Sequence, residues 1–264
     1  MTNMKAIAMQ DGRLRLEQIA MPVPGPGQVL VRSLACGICG SDLHITRHTD
    51  EVLGLYAAMA EPLAVGLHAV NRGAVARDDV ALVAGCGPIG LACIVALRQQ
   101  GVQTIIASDP QAKKLDMARQ FGATHTVNPV TDDEMLLCAA LAGGQRSVIF
   151  ECVGVTALVP DFLQRAPEKS CVVFTGIHTA DITFNVAFTT VKQLDVKFSY
   201  YYYQPEEFAS ALQSLADGQV NWQAMCTGKV GIDGVPGAFD VLMKPNDHIK
   251  VIVEPWRSGG LEHL

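Results

Sequence analysis

The chain has 264 residues, of which 49% are hydrophobic and 17% charged, and its formal net charge at pH 7 is −6. A chain of this length forms one large domain or two modest ones. The acidic balance, without a run of Lys or Arg, argues against nucleic-acid binding and against an anionic membrane surface as partners.

Location follows from the apolar runs and the cysteines. The apolar stretch 91–97 is too short to span a bilayer, and residues 1–6 lack a signal-peptide pattern. The eight cysteines are scattered, which is typical of thiols in a reducing compartment rather than of a disulfide framework. We therefore expect a cytoplasmic protein without a membrane partner.

The first part of the chain predicts β structure. Short strands at 5–9 and 13–19 flank the Asp11-Gly12 dipeptide, which is a hairpin signal. A proline- and glycine-rich connection at 22–27 leads into a further predicted strand at 29–34.

From Val80 onward, predicted strands and helices alternate. The strands are Val80–Ala84, Thr104–Ser108, Ser147–Glu151 and 171–175, and the helices are 88–100, 111–121, 132–141 and 157–164. Gly122 stands where a helix usually ends. Continuous apolar strands separated by helices predict a parallel sheet covered on both faces. An amphipathic helix at 206–216 and a strand at 249–253 follow.

A glycine-rich turn follows the strand Val80–Ala84. If a dinucleotide lies there, Gly85 lets the backbone turn tightly and Gly87 has no side chain to block the pyrophosphate. Gly90 lets the helix pack closely on the strand. The helix begins at Pro88 and Ile89, and the free N–H groups of its first turn and its positive dipole end would face the phosphates.

Asp109, 19 residues beyond Gly90, is the acid that this reading requires. It would accept hydrogen bonds from the adenosine ribose hydroxyls and repel a ribose 2′-phosphate, which favours NAD over NADP. The alternative is a glycine-rich turn in some other α/β protein, with Asp109 as a helix cap.

Several segments occur in a characteristic order. Residues 35–44 (ACGICGSDLH), 61–68 (EPLAVGLH), the glycine turn, Asp109 and 150–154 (FECVG) follow one another. Together they resemble the zinc-type medium-chain dehydrogenase/reductase family, especially its sorbitol, threonine and alcohol dehydrogenase branches. The resemblance implies a Rossmann domain with a GroES-like β domain, and NAD or NADP that takes hydride from an alcohol held on zinc.

The chain departs from this family in its catalytic part. The Gly-His-Glu motif, which supplies metal ligands in the family, and the lobe of four closely spaced cysteines are both missing. Only 21 residues separate Cys39 from Glu61, where the family has several dozen more. We therefore expect an α/β protein in which residues 1–61 and 203–264 form a shortened GroES-like domain. Residues 62–202 would form the Rossmann domain, a doubly wound parallel sheet.

The resemblance also implies a metal site. Cys39 would be a zinc ligand and Glu61 would lie near or on the metal, while Ser41 and His44 match positions near the family's proton relay. Catalytic zinc takes three protein ligands and leaves one position open. A makeshift site from Cys39, His44, His48 and Glu61 is one alternative, and a semi-buried thiol with solvated histidines is the other.

Further residues lie at or beyond strand ends, where open α/β sheets bind ligands. The resemblance places five of them beside the ribose and nicotinamide: Val153, Gly154, Thr175, Gly176 and Ile177. They would serve equally well as plain turn residues. The aromatic run 200–203, on a predicted strand, marks either a subunit interface or ordinary strand propensity. From the resemblance we expect a homodimer or homotetramer.

The sequence thus predicts an NAD-dependent oxidoreductase acting on a small alcohol or polyol and its carbonyl. The first alternative is an NAD-binding protein without turnover, because its zinc site is incomplete. The second is a zinc-independent reductase that binds its carbonyl by hydrogen bonds alone.

Overall fold

The computed structural model describes residues 3–10, 13–33, 35–38, 59–202, 204–244 and 246–264. The chain divides into two compact units. The first unit combines Met1–Met59 with Trp222–Leu264, and the second unit is Ala60–Asn221.

The strands in the described residues are, in chain order, β1 (Asn3–Gln10), β2 (Arg13–Ala20), β3 (Cys36–Ile38), β4 (Val80–Ala84), β5 (Thr104–Ser108), β6 (His125–Val127), β7 (Ser147–Glu151), β8 (Cys171–Phe174), β9 (Asp195–Phe198), β10 (Cys226–Gly231), β11 (Lys250–Glu254) and β12 (Glu262–His263). The helices are α1 (Ala60–Gly73), α2 (Pro88–Gln99), α3 (Ala112–Phe121), α4 (Glu134–Ala142), α5 (Leu158–Arg165), α6 (Val186–Val191), α7 (Pro205–Ala216), α8 (Trp222–Met225) and α9 (Val235–Leu242), with a 3₁₀ turn at Ile232–Gly234. No helix in these described ranges has both the length and the apolar character needed to cross a membrane.

The second unit contains a six-stranded parallel sheet in the order β6-β5-β4-β7-β8-β9. Every residue of β4, β7 and β8 is buried, as expected when helices cover both faces of a parallel sheet. The chain moves outward from β4 in one direction and then from β7 in the other. The carboxyl end of β4 is therefore the switch point at which such sheets bind ligands.

Helices pack on both faces of this sheet. On one face, Leu82 and Ile149 form a core with Met135 of α4 and Phe162 of α5. On the other, α1 comes so close that a Cβ on Gly73 would lie 3.1 Å from the ring of Phe150. The predicted doubly wound α/β fold is confirmed.

The first unit is a β structure made from both parts of the chain. Strands β12-β10-β11-β3 form one sheet, and β1 and β2 pair as a separate antiparallel hairpin. Val230, Val251 and Ala238 form the core of this unit, and Ile7 and Leu14 of the hairpin pack against it.

Two predicted strands were wrong. Residues 29–33 are not in a strand, and Val29 and Val31 are about four-fifths exposed; strand propensity needs a neighbouring strand to be realised. The aromatic run does not lie on a strand either, because β9 ends at Phe198 before it. Tyr201 has φ of +61°, which extended strands do not allow, and Tyr203 lies outside the described residues.

Candidate functional site

The glycine turn lies at the switch point, between β4 and α2. Gly85 has φ of +91°, a conformation that favours glycine, and its N–H donates to the Ser108 carbonyl at 2.7 Å. A Cβ on Gly85 would lie 3.0 Å from Val153 Cγ2. Gly85 therefore turns the chain tightly where the end of β4 contacts the end of β5 and the segment after β7.

The other two glycines meet opposite surroundings. A Cβ on Gly90 would lie 1.8 Å from the Gly85 carbonyl oxygen, which backbone geometry cannot accommodate. A Cβ on Gly87 would meet nothing within 4 Å. The missing side chain at Gly90 thus lets the first turn of α2 pack directly on the backbone of Gly85, whereas Gly87 borders open space.

The start of α2 presents backbone donors to that space. Pro88 is the first helical residue, and the N–H of Leu91 donates to the Gly87 carbonyl at 2.9 Å. The amides of Ile89 and Gly90 come before this bond and have no partner within the helix. These donors and the positive end of the helix dipole favour an anion at the turn.

Asp109 is held beside the same turn. Its side chain is buried, with Oδ2 accepting from the Cys86 N–H at 3.0 Å and Oδ1 from the Gln111 N–H at 2.9 Å. Gln111 is the N-cap residue of α3, so Asp109 also orders the entry to that helix. Each carboxylate oxygen retains acceptor capacity for a further donor.

A second buried acid supports this side of the sheet. The Ser108 hydroxyl donates to the carboxylate of Glu134, which is also buried. Burial raises the pKa of Glu134 above its usual range, and the hydrogen bond from Ser108 opposes that rise.

The thiol within the turn is not poised for reaction. Burial, and then the nearby Asp109 carboxylate, raise the pKa of Cys86 well above its ordinary value. A thiol is nucleophilic only as thiolate, so Cys86 contributes packing and its backbone N–H.

A second group of residues gathers around Glu151, the last residue of β7. Its side chain is fully buried, and Oε1 accepts from the N–H groups of Val153 at 2.8 Å and Gly154 at 2.7 Å. The other oxygen, Oε2, lies 3.0 Å from His178 Nε2.

The same residue also holds the segment after β8 through its main chain. The Glu151 carbonyl accepts from the N–H groups of Thr175 at 2.9 Å and Gly176 at 3.1 Å. A Cβ on Gly176 would lie 2.5 Å from Gly154 and 2.6 Å from Glu151 Oε2. We name Glu151, Val153, Gly154, 175–177 and His178 the strand-end cluster.

Sequence reasoning selected 153–154 and 175–177 but missed the roles of the Glu151 side chain and of His178. The available signal was an acid at the end of an otherwise apolar buried strand. Nothing in the sequence marked His178 as its partner, because that pairing arises only when β7 and β8 lie side by side.

The predicted metal and relay residues Cys39, Ser41 and His44 lie outside the described residues, as does His48. Glu61 is half-buried in the first turn of α1. Within the described residues, no three or more His, Cys, Asp or Glu side chains form a group that could hold a metal ion.

Comparison with known proteins finds dehydrogenases. A family model described as "Zinc-binding dehydrogenase" matches residues 88–217. (R,R)-Butanediol dehydrogenase of Neisseria gonorrhoeae is 32% identical over 203 residues, which cover 75% of this chain. The chain spans about 56% of the length of that relative.

A second relative aligns along nearly the whole length of both proteins. Sorbitol dehydrogenase of Gallus gallus is 22% identical over 344 aligned positions, covering 96% of each protein. Because this chain has only 264 residues, such an alignment requires internal gaps in it.

Solved structures share the fold. A chain described as a zinc-binding dehydrogenase of Sinorhizobium meliloti 1021, bound to NADP, has a TM-score of 0.80 at 22% identity, covering 97% of this chain and 100% of that one. An alcohol dehydrogenase of Escherichia coli CFT073 in complex with NADH has a TM-score of 0.81 at 18% identity, with 97% and 100% covered. These structures show the shared fold. The ordered motifs, the family model and the butanediol dehydrogenase relative establish that the chain belongs to the zinc-type medium-chain dehydrogenase/reductase family.

Proposed function

We propose that this chain binds a nicotinamide dinucleotide across the carboxyl ends of β4, β5, β7 and β8. We further propose that it is an oxidoreductase of the alcohol dehydrogenase kind, interconverting an alcohol or polyol and its carbonyl. The observation that carries the proposal is the buried carboxylate of Asp109 fastened to the Cys86 N–H, next to the open space at Gly87.

The glycine turn would bind the pyrophosphate. The amides of Ile89 and Gly90 stand at the start of α2, where backbone donors and the helix dipole attract phosphate oxygens. The missing side chain at Gly87 leaves room for that approach. No basic side chain is needed for this mode of binding.

Asp109 would select the dinucleotide. Its carboxylate accepts hydrogen bonds from ribose hydroxyls and repels a 2′-phosphate, so we propose NAD rather than NADP as the cofactor. Among the solved relatives, one was bound to NADP and another to NADH. The proposed preference of this chain for NAD over NADP therefore rests on Asp109.

The strand-end cluster would receive the nicotinamide half. When bound, that ring accepts or donates hydride, and the protein orients it. Glu151 holds the turn at 153–154 and the segment at 175–176 together, which gives the ring a preformed surface.

The metal half of the chemistry rests on the resemblance alone. By resemblance, Cys39 and Glu61 would bind zinc, with Ser41 and His44 moving the proton. These are two protein ligands, and a catalytic zinc takes three. The residues that match the family's ligands do not complete the site, which favours the second candidate function: an NAD-binding protein without turnover, lacking the Gly-His-Glu motif.

Three measurements on the purified protein separate the candidates: calorimetric titration with NAD and NADP, zinc content, and NADH formation from 2,3-butanediol, erythritol and sorbitol. Turnover that depends on zinc supports the dehydrogenase. NAD binding without stoichiometric zinc and without turnover supports the binding protein. A folded sample that binds neither dinucleotide contradicts both.

We also propose that the chain forms a homodimer or homotetramer in the cytoplasm. Strand β9 ends the six-stranded sheet, and Phe198 and Tyr200 beside it are about two-thirds exposed. An exposed apolar sheet edge favours pairing with another chain. Sedimentation velocity tests this proposal, since a monomer at micromolar concentration contradicts it.

A further inference from the structure

His178 carries an unmet hydrogen bond in the interior of the second unit. Its side chain is only 9% exposed, and its Nδ1 atom is buried without a hydrogen-bond partner. Leaving a buried polar atom unpaired is costly, and native proteins avoid it. A donor supplied from outside the protein would satisfy this atom.

The chemistry of this atom follows from its neighbour. A carboxylate only accepts hydrogen bonds, so we assign His178 Nε2, 3.0 Å from Glu151 Oε2, as the donor of this pair. In the neutral ring Nδ1 then carries a lone pair and is an acceptor. The missing partner is therefore a hydroxyl or an amide N–H.

The two segments next to this atom are the ones assigned to the proposed ligand. Glu151 connects the turn at Val153 and Gly154 to the segment ending at His178. These two segments are the ones assigned to the nicotinamide half of the dinucleotide. That half offers ribose hydroxyls and a carboxamide N–H as donors.

We propose that Glu151 and His178 are positioning residues for the nicotinamide half, and that His178 Nδ1 accepts a hydrogen bond from a hydroxyl or amide of that half. Glu151 holds the two segments together, and His178 ties the bound dinucleotide to them. This inference rests on the proposed dinucleotide site.

The chain offers a matched control elsewhere in the second unit. His68 of α1 and Glu207 of α7 form another buried pair, with Nδ1 3.0 Å from Oε2. Asn71 also donates to this Glu207 carboxylate at 3.0 Å. The pair joins two helices and lies on neither of the segments in the strand-end cluster. Loss of this pair should lower stability, but it should not change the Kd for one dinucleotide-site ligand relative to another.

The experiment compares NAD with ADP, which contains the adenosine and pyrophosphate but not the nicotinamide riboside. Both are titrated calorimetrically into the wild type, His178→Phe, His178→Gln and His68→Gln, and urea midpoints verify folding. His178→Phe should raise the Kd for NAD about tenfold, the loss expected for one well-formed hydrogen bond left unpaired. The Kd for ADP should stay within about twofold, which is below the range of a single hydrogen bond.

The conservative variant keeps the proposal testable if the phenylalanine does not fold. In His178→Gln the amide N–H can still donate to Glu151 while the Nδ1 acceptor is lost, so NAD should weaken and ADP should not. His68→Gln should leave the ratio of the two Kd values unchanged. Equal weakening of NAD and ADP by the His178 variants, or no weakening of NAD, would overturn the inference. A wild type that binds neither ligand would refute the proposed site itself.

Discussion

The glycine turn after β4 and the strand-end cluster after β7 and β8 solve the same problem in opposite ways. The glycine turn is built by leaving side chains out: a Cβ on Gly90 would collide with the Gly85 carbonyl oxygen, while Gly87 leaves open space. The strand-end cluster is built around one buried carboxylate, that of Glu151, which is fully buried. One region thus depends on steric exclusion and the other on hydrogen bonds.

This difference predicts how substitutions should affect the stability of each region. At Gly90 the glycine turn tolerates no added atom, but the turn contains few polar side chains that a substitution could leave unpaired. In the strand-end cluster, truncation of the Glu151 carboxylate leaves buried donors unpaired. The following predictions separate these two behaviours, in order of decreasing effect.

The largest effect is expected from Gly90→Ala. Its Cβ would lie 1.8 Å from backbone oxygen, so the turn must open and we expect a loss of about 3 kcal/mol or more in the free energy of unfolding. Urea denaturation followed by circular dichroism measures it.

Gly87→Ala is the matched control for that change. Its φ of −75° suits alanine, and stability should fall by no more than about 1 kcal/mol. Binding of NAD should nevertheless weaken, because the methyl group fills the proposed pyrophosphate approach. If both alanine variants lose the same stability, the steric account of the turn is wrong.

Glu151→Ala tests the strand-end cluster. It removes the acceptor of the Val153 and Gly154 amides and of His178 Nε2, and we expect a loss of about 2 kcal/mol. Glu151→Gln keeps one acceptor oxygen and should lose less. Thermal unfolding of both variants measures the order, and equal losses would show that the carboxylate charge, not its hydrogen bonds, holds the cluster.

Asp109→Asn tests the selectivity of the glycine-turn side. The amide retains one acceptor oxygen but not the charge, so the preference for NAD over NADP should fall about tenfold, equivalent to about 1.4 kcal/mol. Calorimetric Kd values for both dinucleotides measure this ratio. An unchanged ratio would remove Asp109 from the selection of the cofactor.

The smallest effect is expected from Glu134→Gln. Burial raises the folded-state pKa of Glu134 above its unfolded value, so the folded state binds the proton more tightly. The free energy of unfolding of the wild type therefore falls as the pH rises from the pKa of Glu134 in the unfolded state, about 4.3, through its pKa in the folded state. The glutamine variant should be the more stable protein at pH 7, with the difference shrinking toward pH 4.

Urea midpoints at several pH values verify that trend. A difference between wild type and Glu134→Gln that does not change with pH would contradict it. Such a result would also mean that the buried acid next to Ser108 does not titrate with folding.

Much of the second unit was predictable from local chemistry. The strands Val80–Ala84, Thr104–Ser108 and Ser147–Glu151 were predicted with their observed bounds, because runs this short that contain β-branched residues and are bounded by turn signals are typical of buried strands rather than of helices. Gly122 ends its helix with φ of +117°, as a glycine in that place should. The zinc ligand Cys39 and the proton-relay residues Ser41 and His44 lie outside the described residues and stay predictions.

The tertiary structure decided what depends on distant neighbours. The segment 29–34 has strand-like composition, but residues 29–33 gain no partner strand. Tyr201 has a positive φ, which the aromatic composition of its segment does not predict. Glu151 and His178 are 27 residues apart and meet only because β7 and β8 are adjacent. Spacing within one turn can be read along the chain, whereas a hydrogen bond between two strand ends exists only after the sheet has formed.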